Sequence, residues 1–301
     1  LKTERKGQWL HIAIPSDWIG LQVEHILRHI LHIPKPLLHE LRMSKGVKVN
    51  NDIQSWVTAL AKGDTIQIQL FIDEEYGVVP EYKDISILYE DDHILIVNKP
   101  AGMDTHPTTV GQVGTLANAV AFHYQVQGVQ TKVRHVHRLD RDTTGAILFA
   151  KERLSSALLD HLLEKREIKR TYYALVHGII KQKTGKIDEP IGRDRHHPTR
   201  RRVSQTGQQA RTKYKVVTKL IDEQMTLIEL ELDTGRTHQI RVHMSHLGYP
   251  LVGDVLYGGK PIFYRQALHA KRLRLVHPIT EELLQIEAPY LDIPAIFPDN
   301  S

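Results

Sequence analysis

What most restricts the fold of this chain is the succession of strand-length apolar runs after residue 86. ILYEDDHILIVNK reads as two strands across an Asp-Asp turn, GAILFA is an apolar run of strand length, and YYALVHG and MTLIELEL are strand-like too. Two helical patterns interrupt them. Residues 154–168, LSSALLDHLLEKREI, stack Leu154, Leu158, Leu162 and Lys165 at helical spacing. THQIRVHMSHLG is shorter, with Thr237 as the expected cap and Gly248 as the stop. Strands that predominate without strict alternation with helices predict an α+β domain on an extended, largely antiparallel mixed sheet.

A break falls at residues 73–86, DEEYGVVPEYKDIS, which starts acidic and contains Gly77 and Pro80. Before it, GLQVEHILRHIL carries Val23, Ile26, Leu27, Ile30 and Leu31 on one helical face. Pro34 and Pro36 end that helix, and LLHELRMSKG suggests a second one closing at Gly46. VKVNN and DTIQIQLFI read as strands, the first ending in an Asn-Asn turn. The expected division is a small module over 1–75, a linker over 76–86 and a large domain over 87–301. The order helix, helix, strand, turn, strand, with the segment LRMSKGVKVNN, resembles the alpha-L RNA-binding motif of small-subunit ribosomal protein four.

With 41% hydrophobic and 25% charged residues, the chain has the balance of a soluble globular protein. No apolar run approaches the roughly 20 residues that span a bilayer, so no membrane association is expected. The start, LKTERKGQWLHIAIP, lacks the apolar stretch of a secretory signal, and its first residue, Leu, need not be the natural start. The absence of cysteine removes disulfides, thiolate zinc sites and cysteine nucleophiles, and fits a cytoplasmic location. The 19 histidines keep a histidine metal site open. A net charge of +5 and a pI near 9.2 permit a polyanionic partner.

Residues 135–146, HVHRLDRDTTGA, crowd charge into a loop ahead of the strand AILFA. His135, His137 and Asp140 are competent ligands for a divalent ion, which would suit a metal-dependent hydrolase of RNA or phosphate esters. No second cluster of clear ligand spacing follows: His196-His197 and His238…His243 fit no recognised pattern. Asp140-x-Asp142-x-Thr144 has the spacing of phosphoaspartate phosphatases, but there an apolar strand precedes the first Asp. Here VRHVHRL precedes it and the strand follows.

HRLDRDTTG also matches the HRLDxxTSG signature of the RluA-type pseudouridine synthases, with Thr144 where Ser is usual. NKPAG at 98–102 followed by His106-Pro107, KRTYYALVHG at 169–178 and TGRTHQIRVHMSHLGYPLVGD at 234–254 resemble further motifs of that family, in the same order. The resemblance covers about residues 87–285. It implies the pseudouridine synthase fold and an isomerase that turns uridine into pseudouridine in rRNA or tRNA. In principle such a reaction uses no cofactor and no metal, and no obligatory protein partner is expected.

The same resemblance implies roles for single residues. Asp140 is the catalytic carboxylate, and Arg236 is its expected ion-pair partner. Tyr172 lies against the target uracil, with Tyr173 sent to the other face by strand alternation. Ile240 is the aliphatic contact to the base. Arg138 helps to flip the nucleotide out of its stack. Asn98 and Lys99 support the loop rather than perform chemistry. Independently of the resemblance, residues 193–213 carry Arg193, Arg195, Arg200, Arg201, Arg202, Arg211 and Lys213 against a single acid, Asp194. With Pro198, Ser204 and Gly207 among them, they read as a long loop or hairpin that clamps RNA phosphates.

Overall fold

The computed structural model describes residues 1–298. Its amino-terminal part contains β1 (Thr3–Lys6), β2 (Trp9–Ala13), a short α1 (Val23–His25) that runs into a π-helical turn at Ile26–Ile30, α2 (Lys35–Met43), β3 (Val47–Val49) and β4 (Thr65–Gln69). The strands form an antiparallel sheet in the order β1-β2-β4-β3. Val23, Ile26, Leu27 and Leu31 turn inward as their spacing requires, onto Ile66 and Ile68 of the sheet. Asn50 and Asn51 both adopt positive φ, 51° and 71°, while Val49 and Asp52 exchange backbone hydrogen bonds of 2.9 and 3.0 Å. This is the tight turn read from the Asn-Asn pair. The two strands β1 and β2 extend the expected outline. Their sequences, TERK and WLHIA, pair at the sheet edge, where charged side chains face solvent.

The second part contains β5 (Ser86–Glu90), β6 (Ile94–Lys99), α3 (Leu116–Val126), β7 (Arg134–His135), β8 (Thr144–Ala150), α4 (Arg153–Glu164), β9 (Lys169–His177), β10 (Thr184–Asp188), β11 (Ile191–Arg193), β12 (Arg201–Val203), β13 (Arg211–Leu220), β14 (Met225–Leu232), α5 (Gln239–His246), β15 (Leu268–Val276) and β16 (Leu283–Glu287). Its large sheet runs β10-β13-β14-β9-β15-β8-β6-β5, with β16 beside β15 and β7 beside β8. Among the described residues every pairing in it is antiparallel except β15 with β8. The α+β architecture on an extended mixed sheet is thus the one the sequence predicts.

The parallel seam positions the site. At Gly145, φ is 113° and a Cβ would lie 2.3 Å from the carbonyl oxygen of Ala270. Only glycine lets β8 approach β15 there, and β8 begins immediately after the loop that carries Asp140.

Some local expectations are corrected. α4 stops at Glu164 rather than 168, because Lys165 caps it and Arg166 turns left-handed at φ 62°. α5 begins after His238, itself at φ 57°, and the hydroxyl of Thr237 makes no capping bond. α3 has no counterpart among the expected elements. Its Leu116, Ala117, Ala119, Val120, Ala121 and Tyr124 are all buried, so it lacks the polar stripe that reveals a surface helix. The core of the first part continues into the second through Leu154 of α4 and Ile279. Arg5 donates to Asp92 across the same junction at 2.8 Å.

Candidate active site

Asp140 lies in the loop between β7 and β8, and that loop is held from several sides. The Thr105 hydroxyl donates to the Leu139 carbonyl at 3.0 Å and accepts from the Leu139 N–H at 3.1 Å. The fully buried Lys99 ammonium donates to the carbonyls of Pro100, Met103 and Arg141 at 2.8, 2.7 and 2.8 Å. Burial pushes the Lys99 pKa down to about 7, against the pull of Asp142 and Asp140. Satisfying three carbonyls at once takes three N–H groups, which only the ammonium has. Arg265 closes the far end, donating to the Asp142 carbonyl at 3.2 Å and to the Thr144 hydroxyl at 3.0 Å. Thr144, in the place where Ser is usual, also shares a 2.7 Å bond with His269. The departure from the motif therefore retains a working hydroxyl.

The partner of Asp140 is Arg241, not Arg236. Arg241 Nη1 donates to Asp140 Oδ2 at 3.1 Å, while its Nε and Nη2 bind Asp254 at 2.7 and 2.9 Å. Burial opposes the charge on this guanidinium, but Asp254 and Asp140 outweigh it and raise its pKa. Arg236 precedes α5 rather than lying in it. It is exposed and donates to the carbonyl of Gln209 at 3.1 Å. Both arginines stand in the segment 234–254. The one inside the helix, among Ile240, Val242 and Met244, was the one bound to need buried acids, and Asp254 ends the segment. Asp140 Oδ1 has no hydrogen-bond partner among the described residues, so the carboxylate is fixed by one oxygen and open at the other.

A cavity of about 540 Å³ borders Asp140 and is lined by Leu139, Tyr172, Ile240 and Leu268 together with Arg138 and Arg236. Tyr172, on β9, is 3% exposed and packs in the main core with Ile240 of α5, whereas Tyr173 faces a different cluster. Burial raises the Tyr172 pKa above its ordinary value, so the phenol stays protonated at neutral pH. Arg138 is exposed on the cavity lining.

Tyr257 was not among the candidates read from the sequence, and His238 stood there only as a metal-ligand candidate. His238 Nε2 lies 3.8 Å from Asp140 Oδ2, and its Nδ1 lies 2.9 Å from the Tyr257 hydroxyl. That hydroxyl accepts the Arg201 N–H at 2.8 Å and is free to donate to His238. Burial lowers the His238 pKa, against the pull of Asp140. A backbone bond of the basic segment thus reaches the neighbourhood of Asp140 through two side chains.

That basic segment is a hairpin. β11 and β12 pair with Gly192 opposite Arg202 and Arg193 opposite Arg201. Arg193, Arg195 and Arg202 are exposed. Arg200 is bound by Asp194 at 2.6 Å, and Arg211 and Lys213 by Asp188 and Asp233 at 2.9 and 3.1 Å. Among the described residues no three His, Asp or Glu side chains gather as a metal site. His135 instead stacks on His106 with ring centroids 4.4 Å apart.

The fold and this arrangement define an α+β enzyme with a carboxylate held by a buried arginine beside a basic cavity. Comparison with known proteins gives the family. Residues 93–246 match the model of RNA pseudouridylate synthase, and residues 10–66 match that of the RluD ribosomal pseudouridine synthase N-terminal domain. The RNA pseudouridine synthase YhcT of Bacillus subtilis (strain 168) is 51% identical over 287 residues, 95% of each chain. Ribosomal large subunit pseudouridine synthase D of Haemophilus ducreyi is 41% identical over 253 residues, covering 78% of this chain and 75% of that one. The structure of human RNA pseudouridylate synthase domain containing 1 superposes with a TM-score of 0.57 at 26% identity, over 69% of this chain and 84% of that one. The chain belongs to the RNA pseudouridylate synthase family and is an RNA pseudouridine synthase. The hydrolase reading has no support in these relatives. No helix among the described residues is long and apolar enough to cross a membrane.

Proposed function

We propose that this enzyme converts particular uridines of structured RNA, ribosomal or transfer, with Asp140 as its catalytic carboxylate. One observation carries the reading. Asp140 is fixed through Oδ2 by Arg241 and open at Oδ1, on the wall of the cavity that Tyr172 lines. In the isomerisation the bond from uracil N1 to the ribose breaks, the base turns, and C5 bonds the same ribose carbon. The proton lost from C5 is matched by one gained at N1, so atoms and electrons balance without a co-reactant. Attack on the sugar, attack on the base and elimination all call for an ionised, oriented carboxylate. The charge-assisted bond from Arg241 suits that need.

Tyr172 and Ile240 would pack against the uracil, and the neutral phenol would donate or return a proton. The uridine must leave its stack to reach Asp140, and Arg138, exposed on the cavity lining, would take the vacated position. Arg236 would serve the RNA rather than Asp140. Arg193, Arg195, Arg201 and Arg202 would hold phosphates along the β11–β12 hairpin, with a smaller share for Arg200, which Asp194 already pairs. We divide the chain into an RNA-docking module over 1–75, a linker over 76–86 and the catalytic domain over 87–301. The match of residues 10–66 to an RluD module, with relatives named for the large ribosomal subunit, favours ribosomal RNA in the cytoplasm. Mapping pseudouridines across cellular RNA with and without the gene for this chain tests the proposal. The loss of one or a few defined sites is expected, and an unchanged map would overturn it.

A further inference from the structure

Arg170 is a cation without a partner in a place where cations need one. It lies on β9, two residues before Tyr172, and lines the same cavity. Its Nε is shut off from solvent and makes no hydrogen bond among the described residues, and no carboxylate lies within ion-pairing distance. Of the acids in the lining, Asp140 is engaged by Arg241 and Asp233 by Lys213 and Arg211, while Glu164, exposed at the end of α4, makes no ion pair with Arg170. Half-buried guanidinium groups are costly when unpaired, and an orphaned buried donor calls for an explanation.

A second orphan stands in the same lining. His137, 6% exposed, accepts the Leu148 N–H at its Nε2, at 3.3 Å. Its ring proton therefore sits on Nδ1, and that atom is buried with no partner. Burial pushes the His137 pKa well below its ordinary value, and the charge of Arg170 pushes it further. The two groups are thus within electrostatic reach of each other. Gly235 keeps the guanidinium uncovered. A Cβ there would sit 3.5 Å from Arg170 Nη1 and 3.8 Å from Nη2, so any side chain would lie against the group. Arg166, exposed after the end of α4, adds a further cation to the lining.

We infer that Arg170 is a phosphate-binding residue: it holds a phosphodiester adjoining the target uridine, with Arg166 beside it. A phosphodiester supplies the missing counter-charge and acceptor oxygens suited to a planar fork. The contact fixes the backbone on one side of the flipped base, so that the ribose meets Asp140 in register.

The inference rests on the proposed RNA activity, and the experiment separates the two. The substrate is a short RNA carrying a mapped target uridine, made with a neutral methylphosphonate at each flanking linkage in turn. Wild-type enzyme should lose about 10- to 100-fold in kcat/KM at one linkage, the weight of one charge-assisted contact. Arg170→Gln should show a similar loss on unmodified RNA and no further loss at that linkage. Arg170→Lys, which keeps the charge without the fork, should fall between. An Arg170→Gln enzyme that remains as sensitive as wild type at every linkage overturns the inference. So does a wild type indifferent to all of them, a result that needs no variant to fold. Failure of the wild type to form pseudouridine in any RNA would instead sink the proposed activity.

Discussion

Arg241 serves two carboxylates, so its replacement acts twice. Arg241→Ala should cost about 3–5 kcal/mol of stability, because it strands the buried Asp254. Arg241→Lys keeps the charge but not the fork, and should lower kcat roughly 100-fold with a smaller shift in Tm. Arg236→Ala should raise KM more than it lowers kcat. Steady-state kinetics on one RNA and thermal melts of all three variants check the set. An Arg236→Ala enzyme that loses kcat while Arg241→Lys keeps it would reverse the assignment. Asp140 stood out in the sequence because its neighbours are fixed by motif: Leu139 is tied by Thr105, and Gly145 is demanded by the seam with β15. The choice between two arginines five residues apart was less legible. It depends on which one lies inside α5 with its side chain buried, and α5 starts one residue later than Thr237 suggests. Tyr257 left no signal and His238 read only as a histidine without a ligand pattern, since their link passes through a backbone N–H of a distant hairpin.

Among the elements, the β11–β12 hairpin carries the clearest electrostatic expectation. The composition of residues 193–213 suggested seven equivalent cations. Three of them, Arg200, Arg211 and Lys213, are already neutralised by Asp194, Asp188 and Asp233. Replacing the exposed Arg195 and Arg202 together by Ala should therefore flatten the dependence of log K on log salt by about 0.7–0.9 for each phosphate left without its cation. Arg200→Ala should change it less. Filter binding at several salt concentrations decides, and an unchanged slope for the double variant would argue against phosphate binding by the hairpin. The hairpin itself was foreseeable from Pro198, Ser204 and Gly207. β1 was not, because an edge strand as charged as TERK carries no alternation, and α3 was not, because a helix buried nearly all round carries no stripe.

Across the whole molecule, buried and half-buried histidines contribute to the response to acid. Burial pushes His135 and His269 down to about 4 and His137 well below its ordinary value. A histidine with a folded pKa below its unfolded value of about 6.5 binds fewer protons in the folded state between the two values. Stability is then fully present above about pH 6.5 and is lost as pH falls toward 4. Each such histidine contributes a slope of up to about 1.4 kcal/mol per pH unit. Urea titrations from pH 7 to 4.5 should show this loss, and His269→Gln should reduce the slope by about one proton. An unaltered slope in that variant would contradict the account. The same core relies on Arg265 and Asp292, each 1% exposed in the side chain and 2.6 Å apart. Asp292→Ala should cost about 3–5 kcal/mol and loosen the Asp140 loop that Arg265 holds. The sheet order and the parallel pairing of β8 with β15 were beyond the reach of sequence periodicity, which gives strands but not their neighbours.

The most direct test of the central claim is a pseudouridine map of RNA incubated with the purified enzyme and with its Asp140→Asn variant. Wild type should form pseudouridine at defined uridines. Asp140→Asn should form none while binding the same RNA with affinity within about threefold, since the substitution removes no phosphate-binding group. Pseudouridine formed by the variant at the wild-type rate would contradict the assignment of Asp140.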